Sequence, residues 1–150
     1  MRAWTSGIAI VTATHADERH GMTVSSFTSI ALEPPLIMIS VQTDSRTHRL
    51  ISGSNVFAIT ILADGQQEIS DRFAGRVPDA EDRLAGIETE TLVTGVPFIK
   101  GGLAYLDCRV SQAIEIGTNT LFLGEVVAAR GNGEGDPLVY HNQKYRKLSN

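Results

Sequence analysis

One stretch, from Gly21 to Gln42, constrains the fold of this chain more than any other. Its first half alternates with a period of two, which predicts a β-strand. One side of that strand carries Met22, Val24, Ser26, Thr28 and Ile30, and the other carries Thr23, Ser25, Phe27 and Ser29. Five hydroxyl side chains in seven positions put short hydrogen-bonding groups on both faces. A strand built only for burial would carry Val, Ile and Leu there.

Proline ends this strand, and a buried strand follows it. The Glu33-Pro34-Pro35 corner interrupts pairing because proline has no N–H and forces the residue before it into an extended conformation. The run from Leu36 to Val41 is apolar except for Ser40, which is typical of a central strand. A hydroxyl-rich strand beside a buried one favours a surface for a flat ligand with a polar edge. An exposed Ser/Thr strand of a barrel explains the same pattern equally well.

Length and charge narrow the class of protein. A chain of 150 residues is the size of one domain, here residues 1–150. The net charge of −4 argues against nucleic-acid binding, which needs a basic face. We find no apolar run of about 18 residues and no signal segment, so we expect no membrane partner. The single cysteine, Cys108, excludes an internal disulfide and favours a cytoplasmic protein.

Strand patterns recur along the rest of the chain. They cover Gly7–Thr14, Val56–Leu62, Gly101–Ile116, Thr120–Arg130 and Leu138–Tyr140, with short irregular strands over Leu84–Pro97. We expect two short helices. The first is capped by Asp44 or Ser45 and closed by Gly53, and the second is capped by Asp64 with Gln67. A polar loop containing Pro78 follows. Many short strands with two short helices predict a closed antiparallel barrel.

The longest alternating run, Gly101–Ile116, predicts which side chains are buried. Its apolar face carries Ala104, Leu106, Cys108, Val110, Ile114 and Ile116, so Cys108 is expected in the core. Asp107 and Arg109 lie on the other face, as solvated or cross-strand polar groups. Phe73 is expected to anchor its helix. At the start of the sequence, either the chain begins late or Trp4 packs on another subunit.

Several catalytic motifs are absent. The sequence has no GxGxxG between a strand and a helix, no phosphate loop, no GxSxG elbow and no HExxH. The four histidines are scattered, so a metal site has no support and none is predicted. If the chain is an enzyme, an organic cofactor is expected to bring the reactivity.

Ser45-Arg46-Thr47 forms a candidate anion site. Unpaired backbone N–H groups at the start of a helix favour an anion, and two hydroxyls and a guanidinium add donors for phosphate. A capped surface helix with a solvated arginine fits the same residues. Because this helix directly follows the strand pair, a ring on the strand and a phosphate at the helix start could belong to one ligand.

The segment GMTVSSFTSIALEPPLIMISVQTDSRT resembles the signature of the flavin reductase-like family, which has an FMN-binding split barrel. These proteins are the small reductase components of two-component flavin-dependent monooxygenases. The resemblance continues through NVFAITIL, RFAG, GGLAYLDCRV, GTNTLFLGEVV and DPLVYHNQKYRKL. It covers nearly the whole chain except Asp79–Thr94.

The resemblance implies a mainly β fold, a six-stranded antiparallel Greek-key split barrel with short flanking helices. It also implies a homodimer with flavin near the subunit interface. The implied cofactor-binding residues are Met22, Thr23, Val24, Ser25, Ser26 and Phe27 along the ring, Ser40, Val41 and Gln42 over it, Ser45, Arg46 and Thr47 at the phosphate, and Tyr145 and Arg146 in the tail. No side chain is implied as an acid or base, because hydride transfer requires alignment alone.

Asn119 departs from the family pattern. Many relatives carry histidine in the Gly-x-His-Thr turn, close to the nicotinamide, where this chain has Asn119. Asparagine still hydrogen-bonds a carboxamide but does not titrate near neutral pH. We therefore expect Asn119 to affect nicotinamide affinity more than chemical competence.

The implied function is an NAD(P)H:flavin oxidoreductase. It would transfer hydride from NADH or NADPH to FMN or FAD and supply reduced flavin to a monooxygenase. Two alternatives stay open. A flavin oxidase of the pyridoxamine-phosphate type would need a basic cluster, and the chain has only three lysines. A non-enzymatic flavin or haem carrier would explain Asn119 as a lost nicotinamide contact.

Overall fold

The structure, a computed structural model, describes residues 1–76 and 82–149 and is mainly β with two helices. The strands are β1 Ser6–Gly7, β2 Ala9–His15, β3 Glu18–Val24, β4 Thr28–Leu32, β5 Pro35–Gln42, β6 Val56–Ile61, β7 Thr89–Glu90, β8 Phe98–Ile99, β9 Ala104–Ile116, β10 Asn119–Gly131, β11 Val139–His141 and β12 Lys144–Arg146. The helices are α1 Arg46–Ser54 and α2 Gln67–Phe73. Of the polar loop predicted around Pro78, residues 77–81 lie outside the described residues.

One antiparallel sheet of seven strands, in the order β3-β2-β6-β9-β10-β5-β4, makes up most of the molecule. Two small sheets, β1-β11-β12 and β7-β8, flank it. Apart from the hydroxyl-rich stretch, each long strand predicted from alternation is present, so the mainly β class with two short helices is confirmed. No described helix is long and apolar enough to cross a membrane.

The hydroxyl-rich stretch is two strands, not one. β3 ends at Val24 and β4 begins at Thr28, so the prediction of a continuous strand through Ile30 is wrong. These two strands form opposite edges of the seven-stranded sheet, joined by residues 25–27. A flat sheet of seven strands spans about 29 Å, whereas the steps from Val24 to Thr28 reach at most about 15 Å. The sheet must therefore curl until its edges meet, which is consistent with a split barrel.

Three apolar clusters hold the sheet in this curled form. The largest lies inside it and consists of Ala9, Val11, Ala13, Val24, Ile37, Ile39, Val41, Leu50, Ile51, Phe57, Ile59, Cys108 and Phe122. Leu50 and Ile51 come from α1, which therefore covers one end of the interior. The second cluster packs α2 against β2 through Phe73 and Ile10. The third places Val96 and Phe98 over Tyr105. The core positions predicted for Cys108 and Phe73 are both confirmed.

The predicted helix ends need correction. Ser45 caps α1 by accepting from the His48 N–H at 3.2 Å, as one of the two predicted caps. The helix then runs past Gly53 and ends at Asn55, which adopts a left-handed conformation. Gly53 instead lies against the ring of His15, where a Cβ would come within 2.6 Å. Asp64 does not cap α2, because Gln66 occupies that position without a side-chain cap.

A β-bulge at Ser111 changes which face of β9 is apolar. Val110 pairs with Gly124 and Gln112 with Leu123, so Ser111 is an extra residue. Beyond it, Ala113 pairs with the buried Phe122. Directly paired residues share a face, so Ile114 and Ile116 point outward and their predicted core position is wrong.

Asp107 is buried and bonded to a covering segment, whereas a solvated or cross-strand polar group was the prediction. The segment that carries Val96 and Phe98 covers the face of β9 from which Asp107 projects. Its carboxylate accepts hydrogen bonds from the Val93 N–H at 2.8 Å, the Thr94 N–H at 2.9 Å and the Thr94 hydroxyl at 2.5 Å. The neighbouring Arg109 is exposed, as expected. Alternation identified the face correctly, but it could not show that another segment covers that face.

Candidate ligand-binding site

Three of the predicted site residues form one hydrogen-bonded chain where the edges of the curled sheet meet. The Ser26 hydroxyl donates to the Ser40 carbonyl at 3.2 Å and accepts from the Ser40 N–H at 3.1 Å. Ser26 therefore binds β5 as a neighbouring strand would. Asn119 Nδ2 donates to Ser40 Oγ at 2.7 Å. The chain places three polar side chains at one end of β5 and β10.

The start of α1 lies directly beyond this polar chain. Ser45 is tied to the end of β5, because its hydroxyl donates to the Gln42 carbonyl at 2.8 Å. Ser40 and Gln42 are about 7 Å apart along an extended strand. A shallow, open depression follows, lined by Thr43, Asp44, Ser45, Arg46, His48, Arg49 and Ser52. The backbone N–H groups of the first turn and two guanidinium groups suit an anion here.

Thr47, the third residue of the predicted phosphate turn, lies inside the protein. It is fully buried, and its hydroxyl lies 2.9 Å from His20 Nδ1. Burial, with the nearby Arg83 and Arg46, lowers the pKa of His20 to about 4, so its ring is neutral at pH 7. The Thr47 hydroxyl therefore anchors α1 to β3, and Thr47 does not line the depression.

A carboxylate lies beside the arginines of the depression. Glu18 Oε2 is 2.8 Å from Arg49 Nη2 and 3.4 Å from Arg46 Nε. Hydrogen bonding to Arg49 is the largest factor that lowers the pKa of Glu18. The sequence analysis identified neither Glu18 nor Arg49. Arg49 follows Arg46 by one helical turn, a spacing that could have indicated it.

The predicted tail residue Tyr145 belongs to a second cluster, next to the middle of β3. A cavity of about 180 Å³ is lined by Ile8, Thr23, Ser25, Ser70, Ala74, Arg76, Tyr140 and Tyr145. The Thr23 hydroxyl donates to the Ser70 carbonyl at 2.6 Å, and the Tyr145 hydroxyl donates to Asp71 Oδ1 at 2.5 Å. Burial, followed by the hydrogen bond to Asp71, raises the pKa of Tyr145. Ser25 also lines two adjoining cavities.

The remaining predicted site residues differ in how far they are exposed to solvent. Val24 and Val41 are buried, and Val24 lines one of the Ser25 cavities. Met22 and Phe27 are partly buried against the main core. Gln42 and Arg146 are exposed, and Arg146 lies on β12, a strand that the sequence analysis missed. The site thus consists of the polar chain, the depression and the Ser25 cavities.

The site holds no cluster of metal-ligating side chains. No group of three or more His, Cys, Asp or Glu side chains among residues 1–76 and 82–149 could hold a metal ion. The donors that do converge are hydroxyls, an amide, main-chain groups and guanidiniums. This donor set suits an organic ligand with a polar ring edge and an anionic end.

The fold matches that of a known class of protein, the flavin reductases. A model of the flavin reductase like domain matches residues 1–149, so the chain belongs to this family.

Three relatives illustrate the match. The chain is similar to FMN reductase (NADH) SmoA of Agrobacterium fabrum, with 36% identity over 99% of this chain and 83% of the relative. It is also similar to the reductase component of 4-hydroxyphenylacetate 3-monooxygenase of Thermus thermophilus, with 33% identity over 99% of this chain and 92% of that protein. The Streptomyces globisporus NADH:FAD oxidoreductase SgcE6, solved in complex with NAD and FAD fragments, superposes with a TM-score of 0.89. Its identity is 30%, over 97% of this chain and 87% of that chain.

Proposed function

We propose that this protein is an NAD(P)H-dependent flavin reductase that transfers hydride from a reduced nicotinamide to FMN or FAD. The reduced flavin then serves a partner monooxygenase. One observation carries the proposal. Residues 40–46 run without interruption from the polar end of β5 to the start of α1, where an anion can bind. A flavin has the same order of parts, a ring with a polar edge, a polar chain and a phosphate.

The donor set fits a flavin at both ends. Ser40 and Asn119 present hydroxyl and amide groups at the polar edge, and the Ser25 cavities add hydroxyls and aromatic rings. The depression at α1 supplies Ser45, the backbone N–H groups and Arg46 to a phosphate. From the end of β5 to the start of α1, these groups lie on the order of 10 Å apart. The ribityl chain of a flavin spans a similar distance.

The protein contributes alignment rather than acid or base chemistry. A flavin held here would supply the hydride-accepting ring, so the side chains need only to orient the two ring systems and keep them together. Asn119 lies at the polar edge with its amide directed at Ser40, where it can also bind a carboxamide. His20 is neutral and shielded beneath α1, so it supports the phosphate end without taking part in proton transfer.

A spectroscopic assay tests the proposed reaction. Purified protein is mixed with NADH or NADPH and FMN or FAD, and the nicotinamide absorbance band is followed. We expect turnover that depends on both substrates. Flavin binding without nicotinamide consumption would favour the carrier alternative. Flavin reduction that requires a phosphorylated amine instead of nicotinamide would favour the oxidase alternative.

Arg46 tests the phosphate site separately. Arg46→Ala should weaken FMN binding by about 1.5–3 kcal/mol, the value of a hydrogen bond to a charged group. Riboflavin lacks the phosphate, so its binding free energy should fall much less. Arg109→Ala is the matched control, since Arg109 is an exposed arginine on β9. Equal losses of binding free energy for FMN and riboflavin would show that Arg46 does not contact the phosphate.

We also propose that the protein is a cytoplasmic homodimer. The outer face of β5, β10 and β9 carries Met38, Leu121, Leu123, Ile114 and Ile116, which share one side by register. Ile114 is 36% exposed and Ile116 is 55% exposed. Contiguous apolar side chains on a surface mark an interaction site. Asn119 and Ser40 lie on the same face, so a second copy of the chain seated there would border the flavin.

The dimer is tested by measuring mass in solution. Ile116→Asp should shift the protein from dimer to monomer in sedimentation velocity and weaken flavin binding in parallel. Leu148→Asp places the same charge on an exposed apolar residue of the tail, outside the seven-stranded sheet, and should leave the mass unchanged. A monomeric unmodified protein would contradict this part of the proposal.

A further inference from the structure

Glu18 accepts hydrogen bonds from the two arginines that would bind a phosphate at the start of α1. It is the first residue of β3 and follows a tight turn in which Ala16 and Asp17 have positive φ. Its carboxylate accepts from Arg49 Nη2 at 2.8 Å, from Arg49 Nη1 at 3.4 Å and from Arg46 Nε at 3.4 Å. The contact with Arg49 is a two-pronged arrangement, the same geometry by which arginine grips a phosphate.

The charges of the depression are nearly balanced before any ligand binds. Arg46 and Arg49 bring two positive charges, and Glu18 and Asp44 bring two negative charges. A site built only for tight phosphate binding would lack the carboxylates. All three ion-paired side chains are well exposed, and exposed ion pairs contribute little to stability. An incoming phosphate can therefore displace Glu18 at small expense in free energy.

We infer that Glu18 competes with the flavin phosphate for Arg46 and Arg49, and thereby keeps phosphorylated flavins weakly bound and quick to leave. The inference rests on the proposed function, because it requires the phosphate to lie at α1. It suits a reductase whose product must pass to another protein. It also makes Glu18 a determinant of specificity, since riboflavin has no phosphate with which Glu18 could compete.

The test compares the dissociation constants of FMN and riboflavin for Glu18→Gln with those for the unmodified protein. Glu18→Gln should tighten FMN roughly two- to five-fold, the effect of removing an exposed ion pair. Riboflavin affinity should not change. The FMN release rate, measured by rapid mixing with a competing flavin trap, should fall by a similar factor.

Asp17→Asn is the matched control. It removes one negative charge from the same turn, and asparagine tolerates the positive φ of 66° at this position. If Asp17→Asn tightens FMN as much as Glu18→Gln does, the effect is one of overall charge and the inference is wrong. Weaker FMN binding by Glu18→Gln would show that Glu18 orients the arginines, which also overturns it. Melting temperatures verify that each variant is folded.

Arg46→Ala separates the two proposals. In one outcome, Arg46→Ala weakens the binding of FMN but not of riboflavin, while Glu18→Gln changes neither. This result would support the phosphate site and contradict competition by Glu18. If Arg46→Ala weakens FMN and riboflavin equally, the phosphate does not lie at α1 and both fail. A benefit of Glu18→Gln that disappears in an Arg46→Ala, Arg49→Ala background supports direct competition.

Discussion

Asn119 donates from Nδ2 to the Ser40 hydroxyl across 2.7 Å, between the ends of two neighbouring strands of the sheet. Ser40 is also bound through its main chain by Ser26, which comes from the connection between the two sheet edges. The bond thus links the proposed nicotinamide contact to the point where the sheet closes.

Asn119 is expected to act on nicotinamide binding. Asn119→Ala removes an amide worth about 0.5–1.5 kcal/mol, which corresponds to roughly a two- to ten-fold rise in the KM for NADH. The kcat should change less, because no proton transfer is lost. Gln112→Ala, which removes an exposed amide from β9, serves as control. Steady-state kinetics in which kcat falls while KM stays constant would contradict the assignment.

Histidine at the same position should introduce a pH dependence. Asn119→His places a group with an ordinary pKa of about 6.5 beside the nicotinamide site. The KM for NADH should then vary between pH 5.5 and 7.5 more strongly, by about two-fold or more, than it does in the unmodified protein. Identical KM profiles for the two proteins would place residue 119 away from the nicotinamide.

Asp107 should be important for stability. Asp107→Ala leaves the N–H groups of Val93 and Thr94 without their acceptor, at a penalty of about 1–3 kcal/mol in the free energy of unfolding. Asp107→Asn keeps one acceptor oxygen and should lose less. Arg109→Ala, at an exposed site on the same strand, should stay within about 0.5 kcal/mol. Urea denaturation provides the measurement, and equal stability of Asp107→Ala and Arg109→Ala would contradict this account.

Gly124 should not tolerate a methyl group. A Cβ at this position would lie 2.5 Å from Phe57 Cζ and 3.0 Å from Cys108 Cβ, both in the main core. Gly124→Ala should therefore destabilise the fold by about 1–3 kcal/mol through overpacking. Gly131→Ala, at the end of the same strand, meets nothing within 4 Å and is the matched control. Thermal denaturation that ranks the two variants equally would show that the core relaxes around the methyl group.

His20 should make stability depend on pH. Its folded pKa of about 4 is below the unfolded value of about 6.5, so the unfolded chain binds the proton more readily. The stabilisation is complete above pH 6.5 and is lost as the pH falls from 6.5 towards 4. Burial is the main cause, Arg83 and Arg46 add to it, and Asp82 and Glu18 oppose it.

The comparison is between the unmodified protein and His20→Gln, which can still hydrogen-bond Thr47 but does not titrate. The difference in unfolding free energy between the two should shift with pH between 6.5 and 4 and be constant above this range. A constant difference for His20→Gln throughout would mean that the pKa of His20 is the same in the folded and unfolded protein.

Sequence reasoning succeeded where the determining contacts are local. Ser45 was one of two caps predicted for α1, because capping depends on residues three positions apart. It failed at Ser25–Phe27, where the alternation continues through the break between β3 and β4. It also failed beyond Ser111, since a bulge reverses the faces without altering the pattern of residue types.

For the site residues too, the sequence indicated those that are close together in the chain and not those brought in from distant segments. Ser26, Ser40, Ser45 and Arg46 come from one stretch whose chemistry is visible in the sequence, and the structure places them in one region. Glu18 and His20 belong to the same region only because β3 passes beside α1. No spacing in the sequence indicates that approach.

The sequence by itself determined most of the strands, the two helices, the family and the hydroxyl-rich stretch with its arginine turn, because these depend on neighbouring residues and on side-chain chemistry. Only the tertiary structure decided that the stretch divides into opposite edges of one curled sheet, that Asp107 and Thr47 are buried, and that Glu18 holds the arginines. These features depend on contacts between distant segments, which form only when the whole sheet closes and which a local pattern does not encode.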